Sequence, residues 1–222
     1  MGKKYSNFLT VLLVIIIIAI VGVIGFMGYK YYKTYIDKNS AEDFVDTFGD
    51  SNTDGKKDNN NTDDIQFDGV DQGDNGDTGN STNGKKKQYN GFDVAGTIEI
   101  PATNLKCPIL EQYEYSPKAL ETSVVVLYGV GLNQAGNTTI AGHNYRNGLF
   151  FSNNKKLNVG DKIYITDSTG KRMAYTIYNK YEAAENEADY ITRDTQGATE
   201  ISLTTCTDDS KARIIILARA DA

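Results

Sequence analysis

Hydrophobic positions along this chain change character twice. From Phe8 to Met27 the sequence FLTVLLVIIIIAIVGVIGFM runs for 20 residues without a charge. A helix rising about 1.5 Å per residue would there reach roughly 30 Å, the hydrocarbon thickness of a bilayer. Strands rarely exceed about 10 residues, and a cleaved leader has an apolar core of only about 7–15. Residues 8–27 are therefore expected to form one uncleaved transmembrane helix, with residues 1–7 as its N-terminal flank. Tyr29, Tyr31 and Tyr32 suit the aromatic belt at a membrane interface. Lys3 and Lys4 precede the span and Lys30 and Lys33 follow it, so charge alone does not choose its orientation.

After the span, hydrophobic positions nearly vanish. Residues 28–90 read as a juxtamembrane segment followed by a linker, in which AEDFVDTF at 41–48 suggests at most an isolated helical turn. Between Ser51 and Asn90 there are 8 Asp, 8 Asn and 6 Gly, against Ile65, Phe67, Val70 and Tyr89 as the sizeable apolar groups. That is too little apolar surface to offset the entropy of ordering, so a disordered tether is expected. As a flexible coil, Lys38–Asn90 would reach roughly 40 Å. The Asp-Gly repeats from Asp68 to Asp77 superficially resemble calcium loops but lack an EF-hand's terminal Glu, and read as a solvated spacer.

From Gly91 to Ala222 a third pattern takes over. Short runs rich in Val, Ile, Thr and Tyr, bounded by Gly, Asn, Asp or Pro, predict strands at 96–100, 105–110, 124–129, 138–142, 162–166, 172–181, 201–206 and 213–218. Eight runs suggest a closed barrel or a sandwich. Ser116-Pro117 opens one short helix, SPKALE, with a serine N-cap and proline at the first helical position. Residues 144–154 read as a turn or a single helical turn.

Composition narrows the chemistry. Twenty-three Lys and Arg against 29 Asp and Glu leave a net charge of −6, the wrong sign for a nucleic-acid binder. Neither GxxxxGK[ST] nor GxGxxG occurs, so no phosphate cradle is expected. One histidine and two cysteines exclude a His-rich metal cluster and a disulfide scaffold. Among the few reactive side chains, His143 follows the apolar strand and glycine of TTIAGH, and Cys206 closes ISLTTC. Arg213 opens the next strand beyond the polar turn Thr207–Lys211. If those two strands form a hairpin with Cys206 opposite Arg213, period-2 alternation puts thiol and guanidinium on one face. Ile201, Leu203, Ile214 and Ile216 then share the other.

A thiolate attacks acyl carbon, an imidazole relays protons, and a guanidinium offers fixed positive charge to an oxyanion or a substrate backbone. Each residue also has an ordinary reading: a small buried hydrophobe for a strand-end cysteine, a capped surface ring for His143, a solvated edge charge for Arg213. Cys107, inside LKCPIL, reads as structural. A Cys107–Cys206 disulfide is a minor alternative on the oxidising side of a membrane.

Ser202-Leu203-Thr204-Thr205-Cys206 resembles the sortase signature T-L-x-T-C in all but its first position, which is serine. Gly142-His143-Asn144 is similar to that family's G-H segment, and Arg213 stands where the family places its arginine after the cysteine. The resemblance extends from Gly96 to Arg219, and includes Gly96–Pro101 and Gly136-Asn137-Thr138. It implies an all-β fold, an eight-stranded sortase-type β-barrel with short helices, preceded by one transmembrane helix and a disordered linker, with residues 91–222 as the catalytic domain. It further implies a membrane-anchored cysteine transpeptidase of Gram-positive bacteria. Such an enzyme cleaves a C-terminal LPxTG-like sorting motif through a thioacyl intermediate and passes the protein to an amine of a wall precursor or a pilin lysine.

By resemblance Cys206 is the nucleophile, His143 the acid and base, and Arg213 the oxyanion and backbone ligand, whereas Arg219 lies too far along its strand. Thr205 and Asn144 are expected to bind substrate. No cofactor and no metal site are expected. Residues 182–195 fall where sortases keep the loop that walls the sorting-signal groove. Glu182, Glu185, Glu187 and Asp189 there form an acidic cluster of the kind that binds calcium in some relatives, but they read here as a solvated acidic loop. Expected partners are exported proteins bearing a sorting signal, the amine acceptor and the membrane, with the N-terminus cytoplasmic and the barrel extracellular. A thiol peptidase transferring only to water, and a non-catalytic membrane-tethered binding domain, are the competing readings.

Overall fold

The computed structural model describes residues 3–48 and 86–221. Helix α1 (Lys3–Phe48) comes first, then the two-residue strand β1 (Gln88–Tyr89) and β2 (Phe92–Ile100). A 3-10 turn at Pro101–Thr103 leads to β3 (Leu105–Leu110), α2 (Pro117–Thr122), β4 (Val124–Gly129) and β5 (Gly136–Ala141). A second 3-10 segment, Phe151–Lys156, precedes β6 (Lys162–Asp167), β7 (Arg172–Ala184), β8 (Thr199–Cys206) and β9 (Ala212–Ala220). Each predicted strand is present, and α2 is capped as its sequence implied, the Ala119 amide donating to Ser116 Oγ at 3.2 Å.

The strand order is β2-β3-β4-β5-β8-β9-β7-β6, and β6 pairs back onto β2, closing an eight-stranded barrel. Closure removes the exposed edges that an open sheet would present to other chains. The β3–β4 and β5–β8 pairs are parallel and the others antiparallel. Alternate residues fill the barrel: Ile98, Ile109, Ile140, Ile165, Leu203 and Ile216 are completely buried. Each such side chain contributes about 1.5–3 kcal/mol of transfer free energy. On the outer wall, Ala183, Tyr190, Ile215 and Leu217 form a second, smaller cluster where the β7–β8 loop lies over the sheet.

Helix α1 departs from the sequence reading. Its N-terminal part is long and apolar enough to cross a membrane. It does not stop near Met27, however, and residues 28–48, expected as juxtamembrane segment and tether, continue it without a break. Ala41, Phe44, Val45 and Phe48 recur at helical spacing and share one face. Ala41, Val45 and Phe48 are buried against the barrel, and the Phe44 ring meets Tyr89 edge-on at 5.2 Å. Lys106 pairs with Asp46 at 2.6 Å beside them. The described fold includes residues from Lys86 onward, before the expected boundary at Gly91. The rest of the expected disordered linker, including its Asp-Gly repeats, lies in residues 49–85, outside the described residues.

Candidate active site

Three neighbouring strands meet the same rim of the barrel; Cys206 ends β8, Arg213 lies at the start of β9, and His143 follows two residues after β5. The antiparallel β8–β9 ladder places Cys206 directly opposite Arg213. The parallel β5–β8 ladder reaches Ala141↔Thr204, and the Gly142 amide extends it by donating to the Thr204 carbonyl at 3.2 Å. Two further steps along both strands bring His143 level with Cys206.

The faces agree as well. A Cβ built on Gly142 would meet Val124 Cγ1 and Phe151 Cδ2 at 2.8 Å, so position 142 points into the barrel and His143 points out. Only glycine fits between strand and histidine. On β8, Leu203 and Ile201 point inward, which turns Thr204 and Cys206 outward. On β9, Ile214 and Ile216 are in the core, so Arg213 shares the outer face with Cys206. His143, Cys206 and Arg213 thus form a row across β5, β8 and β9, with strand spacings of about 4.8 Å between backbones. All three are half-buried, and Cys206 is a free thiol.

The row is held by its surroundings. His143 lies against Tyr145, ring centroids 4.9 Å apart, and its carbonyl accepts from the Phe151 amide at 3.2 Å. Arg213 donates to Glu185 Oε1 at 3.1 Å, drawing the guanidinium toward the start of the β7–β8 loop. Glu185 is 71% exposed, so this pair is worth about 1 kcal/mol or less, and a substrate displaces it at little cost. The acidic loop therefore supplies a partner to Arg213. No group of three or more His, Cys, Asp or Glu among the described residues is arranged to hold a metal ion.

The side chains of the two expected substrate contacts, Thr205 and Asn144, are turned toward the protein itself. Thr205 lies opposite Ile214 on the inner face, 3% exposed, with a hydroxyl that finds no partner within the protein. Strand alternation points it into the core, away from whatever meets Cys206. Asn144 is near the row but its side chain is committed. Nδ2 donates to the Cys206 carbonyl and to Asp208 Oδ1, each at 3.0 Å, and Oδ1 accepts from the Arg146 amide at 3.1 Å. Asn144 clamps the histidine loop to the cysteine strand. The hydrogen bonds from Lys155 and Asn144 hold the Asp208 carboxyl below its ordinary value, which keeps it an anionic acceptor. Cys107 is fully buried, as its apolar run implied, and both cysteines are unbridged. Arg219 is spent elsewhere, donating to Glu200 at 2.7 Å.

A polar clamp was missed in the sequence. Glu200, 2% exposed, receives Arg193, Arg219 and the Tyr178 hydroxyl. Arg193, from the β7–β8 loop, also reaches Ser202 Oγ at 3.2 Å and Asn137 Oδ1 at 3.1 Å. Asn137 Nδ2 donates to the carbonyls of Tyr190 and Ile191 at 3.0 and 2.9 Å, and Thr204 Oγ1 bonds the Tyr190 hydroxyl at 3.2 Å. This network fastens the loop to the wall beneath the row. Its trace in the sequence is the alternation Glu200, Ser202, Thr204, Cys206, a polar face on a strand whose other face is apolar. Serine at position 202, the departure from T-L-x-T-C, is the residue that accepts from Arg193.

Burial pushes the Glu200 carboxyl up, but the hydrogen bonds from Tyr178, Arg193 and Arg219 outweigh it and hold the carboxyl below its ordinary value of 4.5. Burial likewise pushes the Cys107 thiol up, to about 12.

Comparison with known proteins agrees with this fold. Residues 98–221 match the family model of the sortase domain. The chain is 30% identical to sortase A of Bacillus anthracis over 156 residues, 66% of each sequence, so it spans about two thirds of that curated relative. Among solved structures it resembles sortase C of Clostridium perfringens with the C-terminal cell wall sorting motif, at 26% identity and a TM-score of 0.52, covering 59% of this chain and 71% of that one. Sortase A of Corynebacterium diphtheriae shares the fold at 24% identity and a TM-score of 0.53, covering 59% and 62%. With the family model covering more than half the chain, the protein belongs to the sortase family.

Proposed function

We propose that this protein is a membrane-anchored transpeptidase that cuts an LPxTG-like sorting motif through a thioacyl intermediate on Cys206 and transfers the acyl group to an amine. The reading is carried by one observation: Cys206 and Arg213 are paired across β8 and β9, and His143 follows two residues beyond the end of β5, the strand that pairs with β8. The Cys206 thiolate adds to the scissile carbonyl carbon, and the negative charge that develops on oxygen lies beside the Arg213 guanidinium. As the tetrahedral adduct collapses, the C–N bond breaks and protonated His143 gives its proton to the departing amine. The neutral imidazole then takes a proton from the incoming amine, whose nitrogen attacks the thioester and expels the Cys206 thiolate.

The β7–β8 loop, seated beside Cys206, is the wall against which the motif lies. The apolar part of α1 anchors the chain with its N-terminus inside and the barrel outside, where exported substrates and a wall-precursor or pilin amine are found. Incubating the full chain with an LPxTG-type peptide and following intact mass tests the proposal. An acyl adduct on Cys206, absent in Cys206→Ala and His143→Ala, together with a new ligated product when an amine is supplied, is expected. An adduct that yields only the hydrolysed peptide with or without amine identifies a peptidase, and no adduct identifies a binding domain.

A further inference from the structure

The two ends of the Asp/Asn/Gly-rich segment meet. Helix α1 delivers Phe48 to the barrel, and the chain re-enters the described structure at Lys86. Lys87 Nζ donates to the carbonyl oxygen of Phe48 and stands 4.4 Å from the centroid of its ring. A spacer has its ends on the two bodies that it separates, whereas residues 49–85 leave and return at one place on one body.

The connection between apolar span and barrel is instead the helix itself. Between Met27 and Phe48 there is no proline, and α1 runs through without interruption. Its buried face of Ala41, Val45 and Phe48, with Phe44 against Tyr89 and Asp46 paired to Lys106, forms a mixed apolar and ionic seam on the barrel. The 14 residue steps from Met27 to Ala41 correspond to about 21 Å of helix.

The part of α1 nearer the span also faces the barrel. A cleft of about 850 Å³ lies between Met27, Lys30 and Tyr31 of the helix and Tyr145, Asn147 and Leu149 of the loop that follows His143. Tyr145 is the ring in contact with His143. The loop bearing the histidine is therefore on the span-proximal side of the docking seam.

We infer that α1 is a strut: it holds the barrel at a fixed height with the histidine edge of the catalytic row turned toward the bilayer, and residues 49–85 carry none of that connection. This rests on the membrane-anchored reading for its height above the bilayer; the docking itself does not.

The test uses the full chain in detergent micelles, with an affinity tag before Met1 and a site-specific protease sequence inserted between Asn75 and Gly76. After cleavage the tagged helix fragment is captured. Retention of the barrel fragment is expected, and its appearance in the wash overturns the strut. Phe44→Asp with Phe48→Asp is expected to send the barrel to the wash, and its full retention in that variant overturns the assigned seam. Orientation is read without charged substitutions, in vesicles, with Tyr31→Cys and Asn147→Cys on a Cys206→Ala background. A short bismaleimide is expected to join the two positions, and absence of that product overturns the orientation. Carbonate extraction of the uncut chain scores membrane anchoring separately, because capture in micelles does not depend on it.

Discussion

The side-chain amide of Asn144 donates to the carbonyl oxygen of Cys206 at 3.0 Å, so the loop after His143 is pinned to the strand that presents the sulfur. The two residues are 62 apart in sequence, and the same amide bonds Asp208 across the β8–β9 turn. Asn144→Ala removes both bonds while leaving the row intact. A net hydrogen bond is worth about 1 kcal/mol, so steady-state kinetics should show kcat/KM roughly 5- to 30-fold lower, for one or both bonds acting on the row. Asn144→Asp, which accepts but cannot donate to the carbonyl, should not restore the rate.

Thr205 offers an opposite test. Its hydroxyl is buried without a partner in the protein, and an unsatisfied buried hydroxyl costs about 1–3 kcal/mol. Thr205→Val replaces it with a methyl group of similar shape. Calorimetry should show a higher Tm, with peptide turnover within about twofold of wild type. A collapse in turnover would mean that the hydroxyl serves the reaction.

Glu200 makes loop retention pH-dependent. Its carboxyl is held below 4.5 in the folded protein, so the ionised form is favoured there. That contribution is fully present above the unfolded value and is lost as pH falls through the folded one. The difference in Tm between wild type and Glu200→Gln should therefore be constant near neutral pH and shrink only as the pH drops below about 4.5.

Removing Arg193, the half-buried partner, tests the same clamp from the loop side. Arg193→Ala leaves Glu200 with Arg219 alone among its cationic partners, so the cost should fall below the roughly 3–5 kcal/mol of stranding a buried charge outright. Because Arg193 fastens the β7–β8 loop, KM for a sorting peptide should rise more than kcat falls. Arg193→Lys, which keeps charge but not the fork that reaches Glu200, Ser202 and Asn137, should recover only part of the loss.

The two thiols should separate cleanly. Cys107 is fully buried with its thiol pushed up to about 12, whereas Cys206 is half-buried at the rim. A maleimide should add once to the native protein, at Cys206, and twice in denaturant. Cys206→Ala should leave no native label. Native labelling at Cys107 on the same timescale would contradict the packing of β3.

Much of this was legible along the chain because strands obey a period of two. Val124–Gly129 and Leu105–Leu110 begin and end where their sequence runs do. The same alternation set Cys206 opposite Arg213 and left Thr205 facing inward. The apolar helix was equally plain, since 20 residues without a charge leave few alternatives. What the sequence could not decide was contact between distant segments. Ala41, Phe44, Val45 and Phe48 make too short an apolar face to form a stable helix alone, and it finds partners only on the folded barrel, at β3 and at Tyr89 of β1. Arg193 and Glu200 look like ordinary surface charges until the β7–β8 loop folds over the wall, burying Glu200 and half-burying Arg193. Whether His143 stands beside Cys206 also depended on the parallel pairing of β5 with β8, a crossover between strands 58 or more residues apart that no local periodicity encodes. Local propensity is read along the chain; burial and ion pairing belong to whichever neighbour the fold supplies.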